Sequence, residues 1–105
     1  MPERFEAELA ALRERVDAID TQLLALLNAR AAVVRDIYRL KEQQGVPRFN
    51  QARTDAILRR LAADNQGPLS AQEVHALFTP LLDFFVKEYR SAERDAAADA
   101  AGHSR

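Results

Sequence analysis

The sequence predicts an all-α fold: three helices per chain, one very long and two shorter, with two chains intertwined as a helical homodimer. Three observations lead there. Apolar residues recur at steps of three and four over residues 12–40, the heptad spacing of a helical seam. Two later segments open on helix-capping residues, Asn50 and the Ser70–Glu73 pair, and each is followed by an apolar face. No stretch alternates apolar and polar residues as a half-buried strand would, and there is no internal repeat.

The first helix runs from Pro2 or Glu3 to Gln44. Its row reads Leu12, Val16, Ile19, Leu23, Leu26, Arg30, Val33, Ile37, Leu40. No proline interrupts it after Pro2, and Gly45 with Pro47 marks its stop. After the link "GVPRFN", Asn50 caps a second helix, "QARTDAILRRLAADN", with Ile57, Leu58 and Leu61 facing inward. "DNQGPL" breaks that helix. The S-x-x-E pattern of Ser70 and Glu73 then opens a third, whose apolar face is Val74, Leu77, Phe78, Leu81, Leu82, Phe85 and Tyr89. Pro80, inside this segment, should kink the helix or displace its first turn. Residues 1–91 form the helical domain. From Ala92 the chain is Ala-rich and polar, and residues 92–105 form a disordered or fraying tail.

Length and composition bound the rest. The 105 residues suffice for one small domain, and 48% hydrophobic with 30% charged residues is ordinary for a soluble globular chain. A formal net charge of −1 provides no global field for nucleic acid or an acidic membrane surface. The absence of cysteine excludes disulfides and thiolate metal sites and fits a reducing cytoplasm. "MPERFEAELA" lacks the basic-then-apolar order of a signal peptide, and no apolar run is long enough to cross a bilayer. His75 and His103 are isolated.

The first helix is too long for its own domain. About 40 residues rise roughly 60 Å, whereas a domain of this size has a radius of gyration of only about 13 Å. Two short helices cannot cover a seam of that length. A second copy of the chain can, which is why the fold expectation includes a homodimer.

Arg30 interrupts the seam, and Lys41 follows 11 residues later, three helical turns on and on the same side as Val34 and Ile37. A helix C-terminus favours a lysine in any case. An arginine on a seam is costly unless an anion meets it. Asp17 and Asp20 lie more than two turns away, so a ligand carboxylate is the sharper candidate. Arg13 lies off the Arg30 side, where it is a solvated arginine unless a crossed partner chain brings it to that chain's site. Arg53, in the first turn of the second helix, is unfavourable for the helix dipole, a weak pointer to another role.

"LRERVDAIDTQLLALLNARAAVVRDIYRLK" resembles the opening helix of the all-helical (AroQ-type) chorismate mutases, whose frame is L-R-x-x-(V/I)-D-x-(I/L)-D-x-x-L-L-x-L-L-x-x-R with a lysine 11 residues on. "GVPRFNQAR" resembles the link and second-helix start, usually P-x-x-D-x-x-R-E. The likeness covers roughly residues 8 to 90. "KEQQGVPRF" and "DNQGPL" look most like the subgroup fused to, or working beside, DAHP synthase. The resemblance implies an isomerase that converts chorismate, a dicarboxylate, to prephenate by a Claisen rearrangement in aromatic amino acid biosynthesis, without a cofactor. It implies that Arg30 grips one carboxylate, that Arg13 reaches in from the partner chain to grip a carboxylate, that Lys41 serves a carboxylate and the ether oxygen, and that Arg53 supports the site.

Four positions depart from the family pattern. The aspartate of P-x-x-D is Asn50, and the glutamate that holds the substrate hydroxyl is Thr54; both can hydrogen-bond, and neither is anionic. In the third helix the small or serine position is Phe85, and the glutamine or glutamate that donates to the ether oxygen is Tyr89, with Glu88 about 100° away. Core packing at i, i+4 spacing explains Phe85 and Tyr89 as well as catalysis does. The carboxylate grip is therefore retained while hydroxyl recognition and bond-breaking assistance are altered, which is compatible with a mutase of low intrinsic activity. Besides a helical dimer whose arginines are only structural, two functional alternatives stay open. One is an enzyme resembling isochorismate pyruvate lyase or aminodeoxychorismate mutase. The other is a non-catalytic module that binds chorismate or prephenate and regulates DAHP synthase.

Overall fold

A computed structural model of the chain describes residues 2–89. The tail expected at 92–105, with His103, lies outside the described residues. Three helices account for most of what is described: α1 (Pro2–Gln43), α2 (Gln51–Asp64) and α3 (Ala71–Lys87). No strand occurs among the described residues.

The helix ends follow from local chemistry. At the end of α1, the Val46 amide donates to the Lys41 carbonyl at 2.8 Å and the Gly45 amide to the Glu42 carbonyl at 3.2 Å. That pair of bonds is a Schellman motif. It requires a left-handed residue, supplied by Gly45 at φ +67°. At the start of α2, Asn50 Oδ1 accepts from the Arg53 amide at 3.0 Å. Asn65 shapes the α2–α3 link, accepting from the Gly67 amide and donating to the Leu69 carbonyl.

The capping box of α3 is complete: the Glu73 amide donates to Ser70 Oγ, and the Ser70 amide donates to Glu73 Oε1. These bonds, the one from the Ser70 backbone foremost, hold the Glu73 carboxyl below the ordinary carboxylate range. Pro80 does not displace the first turn as the sequence reading allowed, because α3 begins at Ala71 and runs unbroken past it. Both Pro80 and Ala76, whose carbonyl the proline leaves without an intrahelical donor, lie on the exposed side.

By compactness the chain divides into two units, residues 1–33 and 34–105. The first is helix throughout its described length and contains no buried residue. Leu12, Val16, Ile19, Leu23 and Leu26 of the predicted seam are 52 to 68% exposed. Arg30 of that row is half-buried, as are the neighbouring Leu27 and Ala31.

The second unit holds the last turns of α1 together with α2 and α3, which pack on one another. Its core is Val74, Leu82 and Phe85, each 5% exposed, joined by half-buried Ile57, Leu58 and Leu61. The Phe85 ring meets Phe84 and Tyr89 edge to face, with centroids 5.4 and 5.3 Å apart. Leu77, expected on the apolar face of the third helix, is exposed.

Tyr89 corrects the sequence reading in a second way. It is not on the third helix, which ends at Lys87 with Glu88 as its cap. The Glu88 and Tyr89 amides both donate to the Phe84 carbonyl, at 2.8 and 2.9 Å. A further helical turn would need the Tyr89 amide on the Phe85 carbonyl. That carbonyl instead accepts Tyr38 Oη at 3.0 Å.

Candidate active site

Two of the candidate cations lie in the first unit. Arg13 is fully on the solvent side of α1, whereas Arg30 is half-buried. An isolated surface arginine on a helix this polar would be expected to extend into water. The partial burial of Arg30 sets it apart from Arg13 and from the exposed apolar residues of its own row.

The remaining candidates lie in the second unit, and the structure ties several together. Lys41 is in the last turn of α1, a favourable end for a cation. It is half-buried, and its Nζ donates to the Arg48 carbonyl at 3.0 Å. Arg48 itself lies over the Tyr38 ring, with Cζ 4.3 Å from the centroid, and donates from Nη1 to the Tyr89 carbonyl at 2.9 Å. Lys41, Arg48, Tyr38, Phe85 and Tyr89 thus form one connected group.

Asn50, Arg53 and Thr54 cluster at the start of α2. The Asn50 side chain is engaged in capping, and its carbonyl accepts the Thr54 amide at 3.0 Å. The Arg53 side chain is exposed; Thr54 is half-buried. Nothing beyond backbone capping links these three to one another. Phe85 is a core residue, and half-buried Tyr89 presents an edge to it. Packing gives both aromatics a sufficient reason to be there.

Sequence reasoning passed over Tyr38 and Arg48. Tyr38 lies one residue past the seam position Ile37, and Arg48 lies in a link with no periodic pattern. Their partners are 47 and 41 residues further along the chain. His75, read as isolated, touches Thr79 Oγ1 through Nδ1 at 3.3 Å and borders an open cleft with Leu58, Ala62 and Ala71. That cleft contains none of the candidate site residues. Among the described residues no group of acidic and histidine side chains is placed to hold a metal ion, and no helix is long and apolar enough to cross a membrane.

What this arrangement can do chemically is hold anions. Its cations carry ordinary guanidinium and ammonium donors, and nothing in it forms a nucleophile–base pair.

Comparison with known proteins narrows the reading. The family model described as chorismate mutase type II matches residues 12–89. A bifunctional chorismate mutase/prephenate dehydratase of Pseudomonas aeruginosa is 36% identical over 80 residues, covering 71% of this chain and 22% of that protein. A 3-dehydroquinate dehydratase of Pyrobaculum aerophilum is 44% identical over 52 residues, covering 50% of this chain and 17% of that protein. The chain therefore spans about a fifth of the length of the curated relatives it matches. Among solved structures, a chorismate mutase from Thermus thermophilus aligns with a TM-score of 0.71 at 31% identity, covering 74% of this chain and 98% of that one.

Proposed function

The chain belongs to the chorismate mutase type II family, and we propose that it catalyses the rearrangement of chorismate to prephenate. The observation that carries this reading is the family match over residues 12–89; Arg13, Arg30 and Lys41, the cations that the first-helix resemblance singles out, fall within that span. The Thermus chorismate mutase adds support, since this chain covers nearly the whole of it.

The reaction is an isomerisation. The ether C–O bond breaks, a C–C bond forms between the enolpyruvyl chain and the ring, and no atom or electron is gained or lost. The protein's task is to hold the chain over the ring and to stabilise negative charge on the ether oxygen. In our reading Arg30, and Arg13 of a second copy of the chain, bind the two carboxylates. Lys41 donates to a carboxylate and to the ether oxygen. Arg53 supports the site, and Asn50 and Thr54 lie where the substrate hydroxyl would be recognised. Phe85 and Tyr89 shape one wall by packing.

The homodimer belongs to the same proposal, because Arg13 needs a partner's site and the leucine row of residues 12–26 is bare in the single chain. DAHP synthase as a partner, and a cytoplasmic setting, rest only on the link sequences "KEQQGVPRF" and "DNQGPL" and on the absence of cysteine. The family match and the solved relatives do not favour the lyase or regulatory alternatives.

The deciding experiment incubates the pure protein with chorismate, and separately with isochorismate, and identifies the products. Prephenate from chorismate supports the proposal. Pyruvate with salicylate from isochorismate, or tight binding of chorismate without turnover, overturns it.

A further inference from the structure

We propose that Arg48 is a positioning residue for Lys41: its side chain clamps the α1–α2 link onto the C-terminal end of α3, and its carbonyl aims the Lys41 ammonium. The inference rests on the reading above, in which Lys41 serves the ether oxygen, and it assigns a role to a residue outside the family frame.

The argument starts from the ammonium. Lysine carries three donors on a flexible four-carbon stem, so its direction must be imposed. Here one donor is taken by the Arg48 carbonyl at 3.0 Å. Two donors remain, the number needed for one carboxylate oxygen and the ether oxygen. The carbonyl can aim the lysine only if it is itself fixed, and it belongs to an irregular link between α1 and α2.

The Arg48 side chain provides that fixing at two points. Its guanidinium lies over the Tyr38 ring at 4.3 Å, a cation–π contact. Its Nη1 donates to the Tyr89 carbonyl at 2.9 Å, just past the end of α3. The Tyr89 carbonyl lies one residue past the cap of α3, near the negative end of the helix dipole, where a cation is favoured. Tyr38 is anchored in turn, by its hydroxyl on the Phe85 carbonyl at 3.0 Å. The chain of contacts therefore runs from the end of α3, through Tyr38 and Arg48, to the lysine.

Two measurements on the full chain test this. The first does not require turnover. Lys41 and Lys87 are the two lysines of the sequence, so the relaxation of their ε-methylene carbons in an isotope-labelled sample gives two resonances, and the wild-type Lys41 signal is the reference for each variant. Arg48→Ala should raise the mobility of Lys41 clearly above its wild-type value, and Arg48→Lys, which keeps a cation and a donor and adds a third resonance identified by its absence from the wild-type spectrum, should restore most of the order of Lys41. Unchanged Lys41 relaxation in Arg48→Ala overturns the inference.

The second is kinetic. Arg48→Ala should lower kcat for prephenate formation about tenfold while KM changes by less than about twofold. In a Lys41→Ala background the same change should cost almost nothing further, because the two residues act as one unit. Arg60→Ala, on the exposed face of α2, should leave kcat unchanged. A full additional loss in the Lys41→Ala background, or a kcat loss that only follows the folded fraction in thermal melts, overturns the inference. If Lys41 loosens as expected and the wild-type protein makes no prephenate, the positioning role stands and the mutase proposal falls.

Discussion

Residues 2–33 and residues 34–89 use their apolar side chains in opposite ways. The second region closes on itself: α2 packs on α3, and Val74, Leu82 and Phe85 are almost fully covered. The first is a helix with as regular an apolar row and no buried residue at all. Propensity alone does not hold such a helix, since most helical stability in proteins comes from packing an amphipathic face. The difference teaches that one part of the chain carries its own core, and the other leaves its apolar row uncovered in the single chain.

The strongest way to break that contrast is to charge the open row. Leu23→Glu with Leu26→Glu should abolish dimer formation and most of the helical signal of α1. Each leucine contributes roughly 2 kcal/mol when covered, and a carboxylate in its place must be buried unpaired. Sedimentation equilibrium together with circular dichroism reads the outcome. A folded dimer in the double variant would mean that the row is not the interface.

Phe85→Ala sharpens the other side of the comparison. It removes the central ring of the closed region and should destabilise the protein by about 3–5 kcal/mol, seen as a lower urea midpoint. A loss under about 1 kcal/mol would show that this region does not depend on its small core.

Next in size is the split between the cations. Arg30→Ala should raise the dissociation constant for a dicarboxylate analogue severely, because that contact is present in ground and transition states alike. Lys41→Ala should lower kcat about a hundredfold, roughly 3 kcal/mol, with a smaller effect on binding. Mixing Arg13→Ala with Arg30→Ala chains and refolding should recover part of the binding, since one site per heterodimer would be intact. No recovery would place Arg13 outside the site.

Thr54→Glu probes hydroxyl recognition at the start of α2. A restored anionic acceptor is worth roughly 1 kcal/mol and up to about 3 if charged, so KM should fall severalfold or more. Unchanged KM and kcat in a folded variant would remove Thr54 from the site.

The smallest expected effect is on pH. The capping bonds from Ser70 hold the Glu73 carboxyl below its ordinary range. Its contribution to stability is therefore present above the unfolded carboxylate value and is lost as pH falls through the lowered folded one. Glu73→Gln should remove that part of the acid sensitivity, so that its thermal midpoint approaches that of wild type as pH drops. A constant difference between the two across the acid range would contradict this.

How much of the protein was legible beforehand follows from the range of each interaction. Asn50 caps the amide of Arg53, Ser70 and Glu73 cap each other, and Gly45 turns the end of α1. All of these partners lie within five residues, and such pairings can be read from sequence spacing alone. Arg30 was legible because it breaks a period, and Lys41 because it keeps step with Arg30. The end of α3 was not legible. Spacing placed Tyr89 on the helix face four residues after Phe85, but its amide donates to the Phe84 carbonyl, and the Phe85 carbonyl accepts a hydroxyl from Tyr38, 47 residues earlier in the chain.

By itself, then, the sequence determined the three helices and their caps, because each depends on bonds and periods within one or two turns. Only the tertiary structure decided that Arg48 joins the α1–α2 link to the end of α3, that Lys41 is held by a backbone carbonyl, and that Tyr89 packs beyond its helix. The contacts of Arg48 and Tyr38 with the end of α3 form only when segments more than 40 residues apart return to the same place, the lysine bond depends on the link they fix, and no local preference in the chain specifies which carbonyl a guanidinium or hydroxyl will meet there.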